Sequence, residues 1–336
     1  MKKLRVAIVG AGYIANYHAR AIANAGNAEL VLACGLPLEA VEKFARTHGI
    51  SEVTTEAKDV ARRDDLDAVI LALPNRFHAP YAALMLKSGK DVMVEKPMAV
   101  NLAEARMMAE TAKKRKRVLG VGHMWRFDTE VNYIRQVVQE GTIGEVVKTK
   151  GYGIHVNWGP AGWFTDKKLA GGGALVDMGV HALDTVRYIM GDPKPKTVFS
   201  VIRTAYGNYD VDDMGLTMIK WSNGAVSTIE SGWWNPHMDG PEASTQLFGT
   251  KGYARVFPTM LKLKVADFPG EFVPPMPARA EHCDQVIYDR QMANFLASVR
   301  SRKQPSPGIE VGTTIMSILD AAYLSSKTGK AVNLGK

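Results

Sequence analysis

Through the first third of the chain, short apolar runs alternate with amphipathic stretches. Arg5-Val6-Ala7-Ile8-Val9, Glu29-Leu30-Val31-Leu32-Ala33-Cys34 and Ala68-Val69-Ile70-Leu71-Ala72-Leu73 are apolar, with helical patterns near residues 13–25 and 38–48 between them. Two further runs, Asp91 to Glu95 and Arg117 to Gly122, alternate with helical patterns near 78–88 and 102–115. Near-continuous apolar strands separated by helices are the βαβ rhythm of a parallel sheet covered on both faces. The rhythm breaks after Gly122. From Val146 onward strand-like runs follow one another more directly, as in Thr197 to Val201, Gly215 to Ile219 and Ala225 to Ile229. One helical stretch near 173–190 interrupts them, and two more near 285–300 and 311–327 close the chain. The expected organisation is a doubly wound parallel sheet over residues 1–122, then an α+β domain with an open, largely antiparallel sheet over 123–336. The proline-bearing stretch Phe268 to Pro277 reads as a surface loop.

A chain of 336 residues suits two domains. No apolar run approaches the roughly 20 residues that cross a bilayer. Lys2 and Lys3 precede an apolar run too short for an export signal, and that run enters a glycine turn, so it reads as a first strand. Only Cys34 and Cys283 are present, far apart in sequence, with no CxxC pair or Cys/His cluster at metal-ligand spacing. They read as reduced thiols of a cytoplasmic protein, and no metal is expected. The net charge of +8 and the run Lys113-Lys114-Arg115-Lys116-Arg117 raise the question of nucleic acid. That run closes a helical stretch starting at Asn101, where cations complement the carbonyl end, and no aromatic interleaving accompanies it. Neither nucleic acid nor a membrane is expected as a partner.

Gly10-Ala11-Gly12-Tyr13-Ile14-Ala15 follows the first strand and opens the first helix, the context that makes a glycine pattern a dinucleotide fingerprint. Gly10 permits the tight turn, Gly12 lets the backbone approach a pyrophosphate at the helix N-terminus, and Ala15 in third position still allows close packing. The first domain is therefore read as a Rossmann domain binding NAD or NADP. After the second strand stands Cys34-Gly35-Leu36-Pro37, without the acid that grips a ribose 2′-hydroxyl or an arginine for a 2′-phosphate. Relaxed discrimination between the two cofactors is expected, with Lys43 and Arg46 on the next helix as phosphate candidates.

Two segments carry candidate chemistry. Glu95-Lys96-Pro97 closes a strand at the carboxyl edge of the sheet, where open α/β folds bind ligands. Proline keeps Lys96 out of helical geometry and lets its ammonium project. The run Gly171-Gly172-Gly173-Ala174-Leu175-Val176-Asp177-Met178-Gly179-Val180-His181 leads glycines into a helix with Asp177 and His181 four apart, hence on one helical face. His181 suits a general base for a secondary alcohol, and Lys96 suits stabilisation of the developing alkoxide. Asp184, one turn further, is a candidate to orient the imidazole, with a solvated helix-face carboxylate as the alternative.

At these residues the chain resembles the glucose-fructose oxidoreductase, inositol dehydrogenase and rhizopine-catabolism (Gfo/Idh/MocA) family. The resemblance rests on Gly10-Ala11-Gly12 with His18, Leu73-Pro74-Asn75 with His78, Glu95-Lys96-Pro97, Gly122 with Arg126-Phe127, and Asp177 with Gly179 and His181. It implies that Lys96 and His181 work at the reacting hydroxyl and that Asp177 holds substrate. It further implies that Glu95 and the Asn75 loop contact the nicotinamide half of the cofactor. Candidate cofactor contacts are then Gly10, Gly12, Tyr13, Ile14, Gly35, Leu73, Asn75, His78, Glu95, Lys96 and Arg126. Candidate substrate contacts are Lys96, Trp125, His155, Asn157, Trp163, Asp177, His181 and Trp234, with Asn235 and His237 beside them. The implied activity is hydride transfer between NAD(P) and a sugar, glycoside or inositol, in a homodimer or homotetramer joined through the outer face of the C-terminal sheet. An NAD-dependent glycosidase working by transient oxidation, and a dinucleotide-binding sensor without turnover, are the alternatives on this scaffold.

Overall fold

The computed structural model describes residues 2–155, 159–234, 242–265, 268–277 and 284–335. The chain folds as two units, Met1–Met124 with Arg279–Thr313, and Trp125–Ala278 with Thr314–Lys336.

In the first unit, strands β1 (Leu4–Val9), β2 (Ala28–Cys34), β3 (Glu52–Thr54), β4 (Ala68–Leu71), β5 (Asp91–Glu95) and β6 (Leu119–Gly122) form one sheet in the order β3-β2-β1-β4-β5-β6. Every pairing in it is parallel. Helices α1 (Tyr13–Ala25), α2 (Leu38–His48), α3 (Ala57–Arg62), α4 (His78–Lys87) and α5 (Leu102–Arg115) supply the crossovers. All residues of β4 and β5 are buried, which is why these strands carry no alternation. The order reverses between β1 and β4, so the turns after β1, β4 and β5 gather at the carboxyl edge of the sheet beside that switch point. The basic run ends α5, as its helix-end reading requires: Asn101 caps the start through Glu104 N, and Lys116 takes the left-handed C-cap position.

In the second unit, α6 (Thr129–Gln139) precedes β7 (Val146–Ile154), the short α7 (Lys167–Ala170), and a π-helical turn, Leu175–Gly179, that runs into α8 (Val180–Ile189). Strands β8 (Pro195–Arg203), β9 (Met214–Trp221), β10 (Val226–Gly232), β11 (Ala243–Gly249), β12 (Gly252–Val256), β13 (Met260–Val265) and β14 (Phe268–Phe272) follow. With β15 (Val332–Asn333) they make a nine-stranded sheet in the order β14-β13-β12-β11-β7-β10-β9-β8-β15, antiparallel except for β7 with β10. The stretch read as a loop from Phe268 is corrected in its first half: Phe268–Phe272 is the edge strand β14, a position where proline costs no ladder bond on the open side. Helix α8 lies close on one sheet face because β7 offers glycines there. A Cβ on Gly153 would stand 2.5 Å from the Met178 carbonyl oxygen, and one on Gly151 2.8 Å from Val186 Cγ2.

Two helices close the chain, α9 (Gln285–Ser301) and α10 (Ile309–Thr328). Helix α9 belongs to the first unit although it lies far along the chain. Its inner face meets α1: Arg20 Nε donates to Gln285 Oε1 at 2.7 Å, Asn24 Nδ2 to Asp289 Oδ2 at 3.0 Å, and the Tyr17 and Tyr288 rings lie 4.9 Å apart. Such a contact leaves no local mark in sequence.

Candidate active site

At the end of β1, Gly10 adopts φ +110°, and a Cβ there would stand 1.9 Å from the Ala72 carbonyl oxygen. Only glycine passes between β1 and the β4 turn. Gly12 is the N-cap of α1, with no side-chain cap and no acid in the first turn. A Cβ on Gly12 would meet no protein atom within 4 Å. Unsatisfied N–H groups, a positive helix end and an open approach are what a pyrophosphate requires, so these residues fit a dinucleotide. Tyr13 is exposed and Ile14 half-buried beside them. Gly35 donates its N–H to the Thr54 carbonyl at 3.1 Å, and a Cβ on it would press Val41 Cγ2 at 3.2 Å. Lys43 and Arg46 are exposed on α2.

The Lys96 turn is held from two sides. Glu95 is 8% exposed and directs its carboxylate inward, where His18 Nε2 lies 2.7 Å from Oε1 and the Lys96 N–H donates to Oε2 at 3.2 Å. Gly122, its partner on β6, makes the room, since a Cβ there would stand 2.8 Å from the carboxylate. Burial pushes the Glu95 carboxyl up, but the His18 hydrogen bond and the charges of His18 and Lys96 outweigh it and hold the group below its ordinary range. On the other side His78 is fully buried, its Nδ1 2.8 Å from the Pro97 carbonyl and its Nε2 2.9 Å from the Leu73 carbonyl. Both ring nitrogens are thus spent joining the end of β4 to the turn after Lys96. His78 therefore clamps the turn that carries Lys96. Asn75 is buried at the start of the short helical turn before α4, and Lys96 is half-buried.

In the second unit the glycine run has an unexpected partner. Asp212, buried, accepts Gly173 N–H at 2.8 Å, Leu175 N–H at 2.9 Å and the Tyr323 hydroxyl at 2.7 Å. A Cβ on Gly172 would stand 2.2 Å from the Tyr323 oxygen, and one on Gly173 1.8 Å from the Asp212 carbonyl oxygen. The glycines thus let the chain wrap a carboxylate that anchors the turn carrying Asp177. Nothing local to the run reveals this. The i, i+4 geometry read for Asp177 and His181 also needs correction, because Asp177 lies in the π turn, where the hydrogen-bonded repeat is one residue longer. Asp177 Oδ2 accepts Trp233 Nε1 at 3.0 Å, while the buried His181 ring packs on Trp125 with centroids 5.0 Å apart.

Arg126 is engaged by two carboxylates. It is 4% exposed and its Nε and Nη2 bind the Asp184 carboxylate, while Nη1 and Nη2 bind Asp192. Burial works against this guanidinium, yet the two carboxylates raise its pKa. These bonds hold the guanidinium against two carboxylates of its own unit. Asp184 is 2% exposed, which removes the solvated-carboxylate alternative.

Aromatic groups surround Asp177. Trp163 and Phe164 stack at 3.9 Å, and Phe164, Tyr209 and Trp234 pack against the cluster of Ala174, Met178, Val211 and Trp233. Trp234 Nε1 donates to the Tyr209 hydroxyl at 3.0 Å, which donates to Asp213 Oδ2 at 3.0 Å. Burial, with Asp213 beside it, pushes the Tyr209 phenol up to about 12. Sequence reading missed Tyr209, Asp212 and Asp213, whose signal was a polar loop rich in acids and tyrosines. His155 is half-buried with Nδ1 3.0 Å from Glu242 Oε2. Asn157, Asn235 and His237 lie outside the described residues. Among the described residues no group of three or more His, Cys, Asp or Glu side chains could hold a metal ion.

Comparison with known proteins places this arrangement. Residues 4–123 match the profile of the oxidoreductase family with an NAD-binding Rossmann fold, and residues 131–255 match the GFO/IDH/MocA C-terminal domain. The chain is 31% identical to D-glucoside 3-dehydrogenase of Escherichia coli (strain K12), covering 98% of this chain and 97% of that one. It is 25% identical to scyllo-inositol 2-dehydrogenase (NAD(+)) of Bacillus subtilis (strain 168), over 99% and 96% of the two chains. Among solved structures, levoglucosan dehydrogenase in complex with NADH superposes with a TM-score of 0.90 at 23% identity, covering 100% of both chains, a likeness of fold. The chain therefore belongs to the Gfo/Idh/MocA oxidoreductase family, with the NAD-binding Rossmann fold in its first unit and the family's C-terminal domain in its second.

Proposed function

We propose that this protein is an NAD(P)-dependent dehydrogenase or reductase acting on a secondary alcohol or ketone of a sugar, glycoside or inositol. The observation that carries the proposal is the Lys96 turn. It leaves β5 at the carboxyl edge that also bears the uncapped N-terminus of α1, and it is clamped by His18 through Glu95 and by His78 through Pro97. A lysine held so firmly at the ligand-binding edge suits a group whose position decides a rate. The names of the relatives, a glucoside 3-dehydrogenase and an inositol 2-dehydrogenase, support a polyhydroxylated ring as substrate.

When bound, the nicotinamide supplies or accepts the hydride. Gly10 and Gly12 seat the pyrophosphate, with Tyr13, Ile14, Gly35, Leu73 and Asn75 bordering the rest of the dinucleotide. Lys96 stabilises the negative charge that grows on the substrate oxygen, and His181 takes or returns the hydroxyl proton. Asp177 accepts a neighbouring hydroxyl, its second partner being the Trp233 indole. Trp163 and Trp234 offer faces for sugar C–H surfaces. A panel of sugars, glycosides, inositols and their keto forms, assayed with NAD and NADP by absorbance of the reduced nicotinamide, tests the proposal. Turnover confined to acyclic 2-hydroxy acids or amino acids would sink it.

Assembly as a homodimer or homotetramer through the nine-stranded sheet is part of this reading. Opposite the face that carries α8, Phe199 and Val201 on β8 stand exposed against their cross-strand partners Met218 and Leu216 on β9. Contiguous exposed apolar side chains of this kind mark an interface. Light scattering on the purified protein checks it, and a monomer at micromolar concentration overturns it. Among the described residues no helix is long and apolar enough to cross a membrane. A cytoplasmic location is proposed on the sparse cysteine usage, two residues far apart in sequence.

A further inference from the structure

Behind the Lys96 turn sits a buried imidazole that the proposed mechanism does not use. His18 lies on the inner face of α1 and is 0% exposed. Its Nε2 is 2.7 Å from Glu95 Oε1, its ring meets Tyr288 edge-on at 5.4 Å, and its Nδ1 has no hydrogen-bond partner. The Glu95 carboxylate can only accept, so Nε2 is the donor of this bond. The other oxygen of the same carboxylate accepts the Lys96 N–H.

We propose that His18 is a positioning residue for Lys96, acting through Glu95: its Nε2–H fixes the ionised Glu95 carboxylate in the orientation that holds the Lys96 turn. The same carboxylate that accepts from His18 thus also holds the Lys96 backbone, and with it the half-buried place from which the side chain leaves. Two features favour this over plain packing. The fit of Gly122 to the carboxylate, with 2.8 Å to an added Cβ, leaves Glu95 one place to lie. A nonpolar residue would also fill the α1 face without burying a polar group.

The inference rests on Lys96 acting at the reacting hydroxyl, so the test carries Lys96→Ala alongside. His18→Leu keeps volume and removes the donor, and His18→Gln keeps an N–H at comparable reach. On a substrate turned over by the parent enzyme, His18→Leu is expected to lower kcat by about ten- to a hundredfold, the effect of losing a hydrogen bond to a charged group. Substrate KM and dinucleotide affinity should stay within about threefold, since no atom touching either is removed. His18→Gln should recover most of the loss. In a Lys96→Ala background, His18→Leu should cost less than about threefold, because its effect passes through the lysine. A kcat near the parent's in His18→Leu, an equal loss in His18→Gln, a parallel collapse of dinucleotide affinity, or full additivity with Lys96→Ala each overturns the inference. If Lys96→Ala itself turns over normally, the proposed function loses its lysine and this inference falls with it. Loss in Lys96→Ala with none in His18→Leu removes the inference alone.

Discussion

Trp233 donates its indole N–H to Asp177 Oδ2 at 3.0 Å, and through it the aromatic floor of the second unit holds the carboxylate that precedes His181 in the π turn. Trp233 is fully buried, so the carboxylate is fixed by a group that cannot rotate without disturbing the core. Asp177→Asn is expected to raise substrate KM by about tenfold or more while changing kcat less, as removal of a charged acceptor from a bound hydroxyl does. Trp233→Phe should act in the same direction and more weakly. Steady-state kinetics on a confirmed substrate decide it, and a kcat loss larger than the KM gain would move Asp177 into the chemical step.

Arg126→Ala separates a structural role from a cofactor role. With the guanidinium gone, the buried Asp184 carboxylate loses the Arg126 side of its ion pair while Asp192 keeps Arg187, a change that costs about 3–5 kcal/mol for a buried pair. Chemical denaturation should show this loss. Dinucleotide affinity of the folded fraction should remain within about threefold of the parent's. A stable variant that binds dinucleotide poorly would favour the cofactor reading.

Where the sequence could be read and where it could not follows from the range of each interaction. The βαβ rhythm, the turn at Gly10 and Gly12 and the ends of α1, α2 and α5 are written in neighbouring residues, and the structure places them at the expected positions. The glycine run before α8 was recognised as functional, but its physical reason is Asp212, 39 residues from Gly173. Likewise Arg126 is held by Asp184, 58 residues away. The clamp of His78 on the Pro97 and Leu73 carbonyls, and the packing of α9 on α1, are long-range in the same sense. The π turn is a one-residue change of register that no periodicity of apolar positions announces.

Cofactor preference should be open to a single change after β2. Gly35 carries neither an acid for a ribose hydroxyl nor a cation for a 2′-phosphate, so NAD is expected to be favoured over NADP by less than about a thousandfold, or 4 kcal/mol. Gly35→Asp would add the acid, with its Cβ pressing only the tip of Val41 at 3.2 Å. The ratio of kcat/KM for NADP to that for NAD should then fall by at least about tenfold. An unchanged ratio would show that the ribose lies away from this turn.

Lys96 and His181 are the residues on which the proposed chemistry stands or falls. An ordinary structural role would make their loss a matter of stability, whereas a catalytic one makes it a matter of rate in a folded protein. Lys96→Ala should keep its fold, since the turn is held by Glu95, Pro97 and their histidine partners. It should bind dinucleotide nearly as the parent does, yet lose at least about a hundredfold in kcat, because the ammonium is needed only as charge develops on the substrate oxygen. His181→Ala leaves a space beside Trp125, so a modest stability loss is expected together with a similar fall in kcat. Its residual rate should climb with pH as hydroxide substitutes for the missing base. Circular dichroism, dinucleotide titration and pH-rate profiles of the two variants supply the check. Near-parent turnover in both, with folding intact, would show that the reacting hydroxyl meets other groups.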